Sequence, residues 1–493
     1  MASQRFRISR IEGGMELERT DGGATRIRGG APRIFERMLL RKHPQDAVFL
    51  TQQISADSGI SHAMAFLKAW EAAGKISLPS NAETLREILH LLSVLHAHLR
   101  QFYQKTLPDY LPPGSLAKYG GTHPILLKMK AGLSKAPASH WTNNLFNVPL
   151  TPGETEQLWE HVAWAQQVMG VLGRMIALIG GKFPVVMSLV PGGMSCSLGP
   201  PRLLMLWDYL ESVYGFLDGV PFQDGELLVA RWPELTTLGR ASDSFLSVGS
   251  GEDATAVESA LFPSGILIAE KLDPFTPEIT ESIHRAFYRI PHRPSPDGLV
   301  PLPFADKAGA YSWIKAPRFQ GRTLETGSLA RFLISDMSGG KIWPPRLLRS
   351  LRSILGRGIQ RWGGVAGRMM TRMAEVRMLA GRVKTLIGQL DPDLPLFQPG
   401  QNADSVSGEG RGYAEGPAGA IQHRLILEKG RIAHLSIIAS SAWNGTPSDE
   451  RNQTGPIEMA LEKGDFDLNR VSDQLSMSRV VHSFAFSMSD AVH

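Results

Sequence analysis

Residues 151–181, TPGETEQLWEHVAWAQQVMGVLGRMIALIGG, constrain the fold more than any other stretch of the chain. Apolar residues recur along it at helical spacing. Thr151 stands at the N-cap position with Pro152 in the first turn, and Gly180 and Gly181 end the pattern. A long amphipathic helix needs other helices beside it to bury its apolar face. The sequence supplies them: SHAMAFLKAWEAAGK (61–75), NAETLREILHLLSVLHAHLRQFYQKTL (81–107), PRLLMLWDYLESVYGFLD (201–218) and residues 345–390, with Gly363 and Gly364 as a break.

The two ends read differently. RFRISRIEGGMELERTDGGATRIRGG, near the N-terminus, breaks into two or three short strands at Gly-Gly turns. HRLILEKGRIAHLSIIAS, near the C-terminus, reads as a hairpin turning at Lys429-Gly430. The expected fold is mainly α with small β elements (α+β): a large helical bundle core with short N-terminal and C-terminal β hairpins. Its parts are a β region over 1–35, a helical core over 36–220, and an irregular insert over 221–340. A second helical part spans 341–392, and a loop, hairpin and tail occupy 393–493.

Hydrophobic content of 43% and charged content of 20% are those of a folded soluble protein. The single cysteine, Cys196, rules out a disulfide framework and any site held by several thiolates of this chain. As a lone residue it reads as a small buried hydrophobe. No run of eighteen apolar residues or signal-peptide core is present, so direct membrane insertion is not expected. The expected location is cytoplasmic, or at a membrane through a partner. Residues 346–384 hold nine Arg and one Lys against one Glu, the one concentrated positive stretch. Trp362 alone gives too little aromatic interleaving for a nucleic-acid surface, so the stretch reads as a solvated helix face or a contact for a protein partner.

Six pieces follow one another in a particular order: RIEGG (10–14), QQISADSGISHAMA (52–65), GGKFPVVMSLVPGG (180–193), APRFQGRTLETGSLAR (316–331), GRGYAEGPAGAI (410–421) with SSAWNGTPSDERNQTGPIE (440–458), and SFAFSMSDAVH (483–493). In this order they resemble the large subunit of [NiFe]-hydrogenases, from about Arg10 to His493. That family shows R-I-E-G-H, R-I-C-G-x-C-x-x-x-H, G-G-K-x-P-H then P-G-G, E-A-P-R-G with a downstream T-W-N, and a terminal D-P-C-x-x-C-x-x-H. A complex I core subunit shares the ancestry, but WNGTP and the AVH ending fit the hydrogenase branch better.

The resemblance implies site residues, and the departures from it are as informative. Glu12 matches the family's proton-gate glutamate, and His62 the histidine beside the second Cys of the first pair. Glu36 and His493 match side chains that hold a magnesium ion beneath the C-terminus. The two Cys pairs that hold nickel and bridge it to iron align with Ser55 and Ser58, and with Ser487 and Asp490. The Arg of E-A-P-R-G aligns with Ala418, and the terminal D-P with Ala485-Phe486. Thiolate sulfur binds nickel and bridges metals, and a serine hydroxyl does neither well. The expectation is therefore no nickel–iron centre, no confident catalytic residue, and a magnesium ion at Glu36 and His493. The chain also stops at the histidine where the family's maturation protease would cut, which fits a protein outside the usual nickel checkpoint.

The function expected on this footing is an inactive large-subunit homologue. It would dock an iron–sulfur small-subunit-like partner in a redox complex as a structural or assembly subunit, with other redox or maturation proteins as further partners. The alternatives are an oxidoreductase subunit with a metal-free pocket for a quinone or other small oxidant, lined by Ser55, Ser58, His62 and Asp490, or a maturation scaffold.

Overall fold

In a computed structural model of the chain the apolar stripes read from the sequence face one another. The structure describes residues 4–20, 23–133, 149–249, 262–290, 300–339, 343–356, 362–398, 405–464 and 466–493. The helices Ser80–Arg100, Pro152–Gly180, Pro200–Arg231 and Val365–Ile387 form the bundle, and Gly59–Gly74 lies between it and the C-terminal sheet. The Pro152–Gly180 helix opens with a full capping box: the Thr151 hydroxyl accepts from the Glu154 amide, and the Glu154 carboxylate accepts from the Thr151 amide. By length and composition this helix could cross a membrane, but half of its most apolar stretch is buried within the fold. It is a bundle helix.

The last of the middle helices exceeds its sequence reading. Pro200–Arg231 continues past Asp218 and through Pro221, which deletes one amide donor. The extension is held because Leu228 and Val229 are buried, and Gly225 meets the Met370 sulfur where a Cβ would stand 2.9 Å away. Packing on Val365–Ile387 outweighs the local proline penalty.

The 346–384 stretch is not a free basic face. Arg368 donates to both oxygens of Glu325 at 2.7 and 2.9 Å, and Arg372 to the Ser483 carbonyl at 2.8 Å. Arg377, Arg382 and Lys384 pair with Asp218, Glu87 and Glu211. Arg346, Arg349 and Arg352 lie on the exposed side of the helix Pro345–Leu355, whose Leu347, Leu351 and Leu355 face inward, and Arg352 reaches Asp336. Arg357 and Arg361 lie outside the described residues.

Two regions expected to be irregular contain sheet. Within 221–340, Ser244–Val248, Ser264–Ile268 and Lys271–Asp273 make one antiparallel sheet, Ile279–Ser282 pairs with Ala316–Phe319, and Ser328–Met337 is a helix. Ser244–Val248 is buried at every position, so it shows no alternation for the sequence to reveal. In residues 391–418, expected as an irregular loop, Gly408–Gly416 is a strand of the three-stranded C-terminal sheet. Its glycines are there for contact: a Cβ at Gly410 or Gly412 would stand 2.1 Å from the Ala69 carbonyl or 2.0 Å from the Ala65 carbonyl. The hairpin after it turns at Lys429-Gly430, as expected, with both residues at positive φ. The N-terminal region forms three antiparallel strands, Gln4–Ile8, Met15–Arg19 and Thr25–Arg28.

The distant motifs lock together. Arg318 of the APRF strand donates to Asp449, Thr446 and the carbonyls of Pro447 and Gln453. Asn444 bonds across to Thr326 and to the Ala418 carbonyl, and the Trp443 indole N–H donates to the Ala420 carbonyl.

One buried acid caps the N-terminal sheet. Glu458 accepts from the Ile27 amide at 3.0 Å and the Tyr311 hydroxyl at 2.9 Å. Burial pushes its carboxyl up to about 8, against the pull of those two bonds. An acid raised in the fold contributes stability that is full below its unfolded value and is lost as pH rises through the folded one. Thermal unfolding is therefore expected to show the melting temperature falling from about pH 5 to pH 8, and Glu458→Gln to flatten that slope. An unchanged slope in the variant would refute the assignment.

Candidate functional site

Strand Gln4–Ile8 ends in a tight turn at Gly13 and Gly14, both at positive φ, and the turn presents Glu12 to the C-terminal tail. A Cβ at Gly13 would stand 2.7 Å from the Ser489 amide nitrogen, so only glycine permits the approach. The Glu12 carbonyl accepts from the Met488 and Ser489 amides at 2.9 and 3.2 Å. Its carboxylate then takes two of the four predicted positions. One oxygen accepts from the Ser55 and Ser487 hydroxyls, each at 2.8 Å, and the other from the Ala56 amide at 2.9 Å.

Asp490 gathers the rest. One of its oxygens accepts from Ser58 Oγ at 2.5 Å and faces His62 Nε2 at 2.9 Å. The other accepts from Ser440 Oγ at 2.8 Å and the Ser441 amide at 2.6 Å. Ser58 is the N-cap of Gly59–Gly74, and His62 sits one turn into that helix. Gly59 follows because a Cβ there would stand 2.3 Å from the Gln52 carbonyl. Burial opposes ionisation of Asp490, but its bonds from His62, Ser58 and the Ser441 amide outweigh it and hold the carboxyl well below the usual range.

The structure thus brings Glu12, Ser55, Ser58, His62, Ser487 and Asp490 together, as the sequence predicted. The expected pocket lined by Ser55, Ser58, His62 and Asp490 is not what they form. Ser58, His62 and Asp490 are buried and bonded to one another. The nearby cavity, about 210 Å³, is lined by Glu12 and Ser55 on its polar side and by Ile60, Phe183 and Pro184 on its apolar side. Ala418 contributes only its carbonyl, to Thr326 and Asn444. Cys196 is half-buried, packed against the core, with burial raising its thiol.

Sequence reasoning missed two residues. His423 lies behind His62, with Nε2 3.0 Å from His62 Nδ1, and burial holds it well below the usual histidine value. Its Nδ1 has no partner among the described residues, which favours the tautomer with hydrogen on Nε2, since a bare acceptor is the less costly atom to bury unpaired. Arg33 donates to the carbonyls of Gln53, Ile54 and Ser489 and stands beside both Glu12 and Asp490 as their positive neighbour. Neither carries a local signal. His423 sits mid-strand, and Arg33 precedes a helix of four residues.

Glu36 and His493 also meet, around Ile437. Glu36 accepts from the Ile437 amide at 2.8 Å, and His493 Nε2 lies 2.7 Å from the Ile437 carbonyl. A third residue, not foreseen, stands with them. Lys315 Nζ donates to Glu36 at 2.8 Å and to Glu281 at 3.2 Å. Burial would raise Glu36, but Lys315 and His493 outweigh it and hold it low, whereas burial leaves Glu281 near 7. Burial brings His493 down to about 4. Among the described residues no three His, Cys, Asp or Glu side chains converge as a metal site. Removing the ammonium should cost roughly 3–5 kcal/mol, because two buried carboxylates then lack a counter-charge. Lys315→Met is expected to lower the midpoint of chemical unfolding accordingly, and a wild-type midpoint would refute this.

Comparison with known proteins bears on all of this. The sequence model of the family described as Nickel-dependent hydrogenase matches residues 33–148 and 139–493. The Hydrogenase-2 large chain of Escherichia coli is 25% identical over 99% of this chain and 96% of its own length. The Periplasmic [NiFeSe] hydrogenase large subunit of Desulfomicrobium baculatum is 24% identical over 99% of this chain and 93% of its own. In fold, the Ni-Fe-Se hydrogenase of Desulfovibrio vulgaris Hildenborough superposes with a TM-score of 0.84 at 23% identity, covering both chains fully. These matches overturn the expectation of no nickel–iron centre. That expectation rested on four ligand positions and on the departures at Ala418 and Ala485-Phe486, and the match runs through a nickel-dependent family over nearly the whole chain. The donors at those four positions are three hydroxyls and a carboxylate, which do not fit the soft thiolate set the resemblance implies, so no chemical step is derived through such a group. On the extent of the family match, the chain belongs to the nickel-dependent hydrogenase family, as a homologue of its large subunit.

Proposed function

We infer that the chain works as a docking subunit: a large-subunit homologue that holds a small-subunit-like iron–sulfur partner in a redox assembly, in a structural or assembly role rather than as the site of hydrogen conversion. The observation that carries this reading is the occupation of Ser55, Ser58, Ser487 and Asp490 by hydrogen bonds to the chain's own groups. A hydroxyl already donating to a carboxylate is not available as an anionic ligand. The partner face fits the segment after the long bundle helix. Phe183 and Met187 are exposed there, beside Lys182, and Phe183 forms one wall of the cavity next to Glu12. Exposed apolar side chains at a cavity rim are the usual anchor of a protein interface. The names of the relatives, large chain and large subunit, support a partner chain. A role as receptor for a small oxidant has less support, since Ser58, His62 and Asp490 face no open space.

We further propose Glu36, His493 and the Ile437 carbonyl as the holders of a magnesium ion, with Glu281 beside them. One Glu281 oxygen is buried without a partner among the described residues, and the Glu36 carboxylate and the Ile437 carbonyl are hard oxygen donors of the kind this ion prefers, with His493 adding a nitrogen. Millimolar Mg²⁺ is expected to raise the melting temperature, and excess chelator to reverse the rise. No response to either would rule the ion out.

Co-expression tests the main reading. The chain should co-purify in equimolar amount with an iron–sulfur small-subunit homologue, and Phe183→Asp should weaken that complex at least about tenfold. Hydrogen uptake by the complex, measured with a viologen dye, should stay at background. Uptake that scales with the amount of this chain would overturn the docking role, as would failure to bind any such partner.

A further inference from the structure

The two carboxylates of the site also fasten the end of the chain. Residues 484–493 are buried except for the half-buried Ser489, with Phe486, Met488, Ala491 and Val492 almost fully enclosed. Three glycines make the channel they occupy. A Cβ at Gly445 would stand 2.3 Å from the Phe486 ring, one at Gly30 2.9 Å from Met488, and one at Gly13 2.7 Å from Ser489. Apolar fit alone does not fix the register of a segment this short, and the polar contacts do. Glu12 receives Ser55 and Ser487, one hydroxyl from each side of the site. Asp490, on the tail itself, receives Ser58 and His62 from the helix start and Ser440 Oγ and the Ser441 amide from the short helix Ser440–Gly445. The two carboxylates accept seven bonds in all, and Asp490, with four, has its acceptor sites filled. Arg33 closes the arrangement from outside, through the Ser489 carbonyl.

We propose that Glu12 and Asp490 form a clasp that docks the C-terminal segment by itself, so that closure of the tail needs no metal ion. The clasp ties the N-terminal turn, the start of Gly59–Gly74, the Ser440–Gly445 helix and the tail at one point. It concerns the tail alone and does not rest on the docking role, so either can fail without the other.

The test is hydrogen exchange of the full chain, read by mass spectrometry at residues 484–491, the part of the tail held by the clasp and short of His493, before and after dialysis against EDTA and phenanthroline. Wild-type protection of the tail is expected to be unchanged by the chelators. Glu12→Gln and Asp490→Asn are each expected to lose at least about tenfold in protection there while the Val365–Ile387 helix keeps its own. Ser487→Ala, which removes one bond to Glu12 and the cap bond from the Asp490 amide but leaves the buried charge of Asp490 in place, should show a smaller loss confined to the tail, and it carries the test if the charge variants fail to fold. Release of the wild-type tail by chelators would overturn the clasp, as would full protection in all three variants.

Discussion

Burying a carboxylate costs several kcal/mol unless charge-assisted hydrogen bonds replace its water, and that condition shapes this protein more than any other. Asp490 is enclosed, and it is kept ionised by donors drawn from two separate parts of the chain, distant in sequence from each other and from the tail. Each donor must be delivered within hydrogen-bond reach at once. The N-cap serine of Gly59–Gly74, the first turn of Ser440–Gly445 and the tail are therefore fixed relative to one another by a single group. Glu12 repeats the device on a half-buried side and adds the N-terminal turn.

The same principle recurs through the core. Arg331 sits between Glu375 and Glu415, Arg368 on Glu325, Arg318 on Asp449 and Lys315 between Glu36 and Glu281, all with side chains largely out of water. Such pairs are weak evidence for high stability, because desolvation cancels most of their attraction. Their effect is on specificity. A wrong register of any of these strands or helices leaves a charge buried without its partner. In the basic 346–384 stretch Arg368 is consumed in this way, Arg372 is held by the Ser483 carbonyl, and Arg377, Arg382 and Lys384 are paired at the surface, while Arg346, Arg349 and Arg352 stay on an exposed helix side.

How much of this could be read from the sequence depended on the range of the interaction that decided each element. The N-cap at Thr151, the hairpin turn at Lys429-Gly430 and the turn at Gly13-Gly14 are decided by neighbours in the chain, and all were legible. The strand Gly408–Gly416 was not, because its glycines answer to the backbone of a helix more than 300 residues away, and locally they look like a loop. The continuation through Pro221 was hidden for the same reason. Ser55, Ser58, Ser487 and Asp490 were found through spacing shared with a family and not through any local propensity. Lys315 and Arg33 were missed because their partners lie in other segments and they form no motif with them.

The exchange of thiol for hydroxyl at this site is geometrically tolerable, which explains how the surrounding fold keeps its shape. Two ligands on one metal ion, each about 2.3 Å away for sulfur, stand at most about 4.6 Å apart. Two hydroxyls donating to one carboxylate oxygen at 2.8 Å each stand at most about 5.6 Å apart, and less when the angle between the bonds is bent. A carboxylate oxygen between Ser55 and Ser487 therefore bridges them over a distance of the same order, with an upper limit about 1 Å longer. What changes is the chemistry. Hydroxyl and carboxylate are hard, directional hydrogen-bonding groups, and they satisfy one another without an external partner. In this site each hydroxyl finds a carboxylate of the chain itself, so the polar groups of four segments hold one another in place as the chain folds.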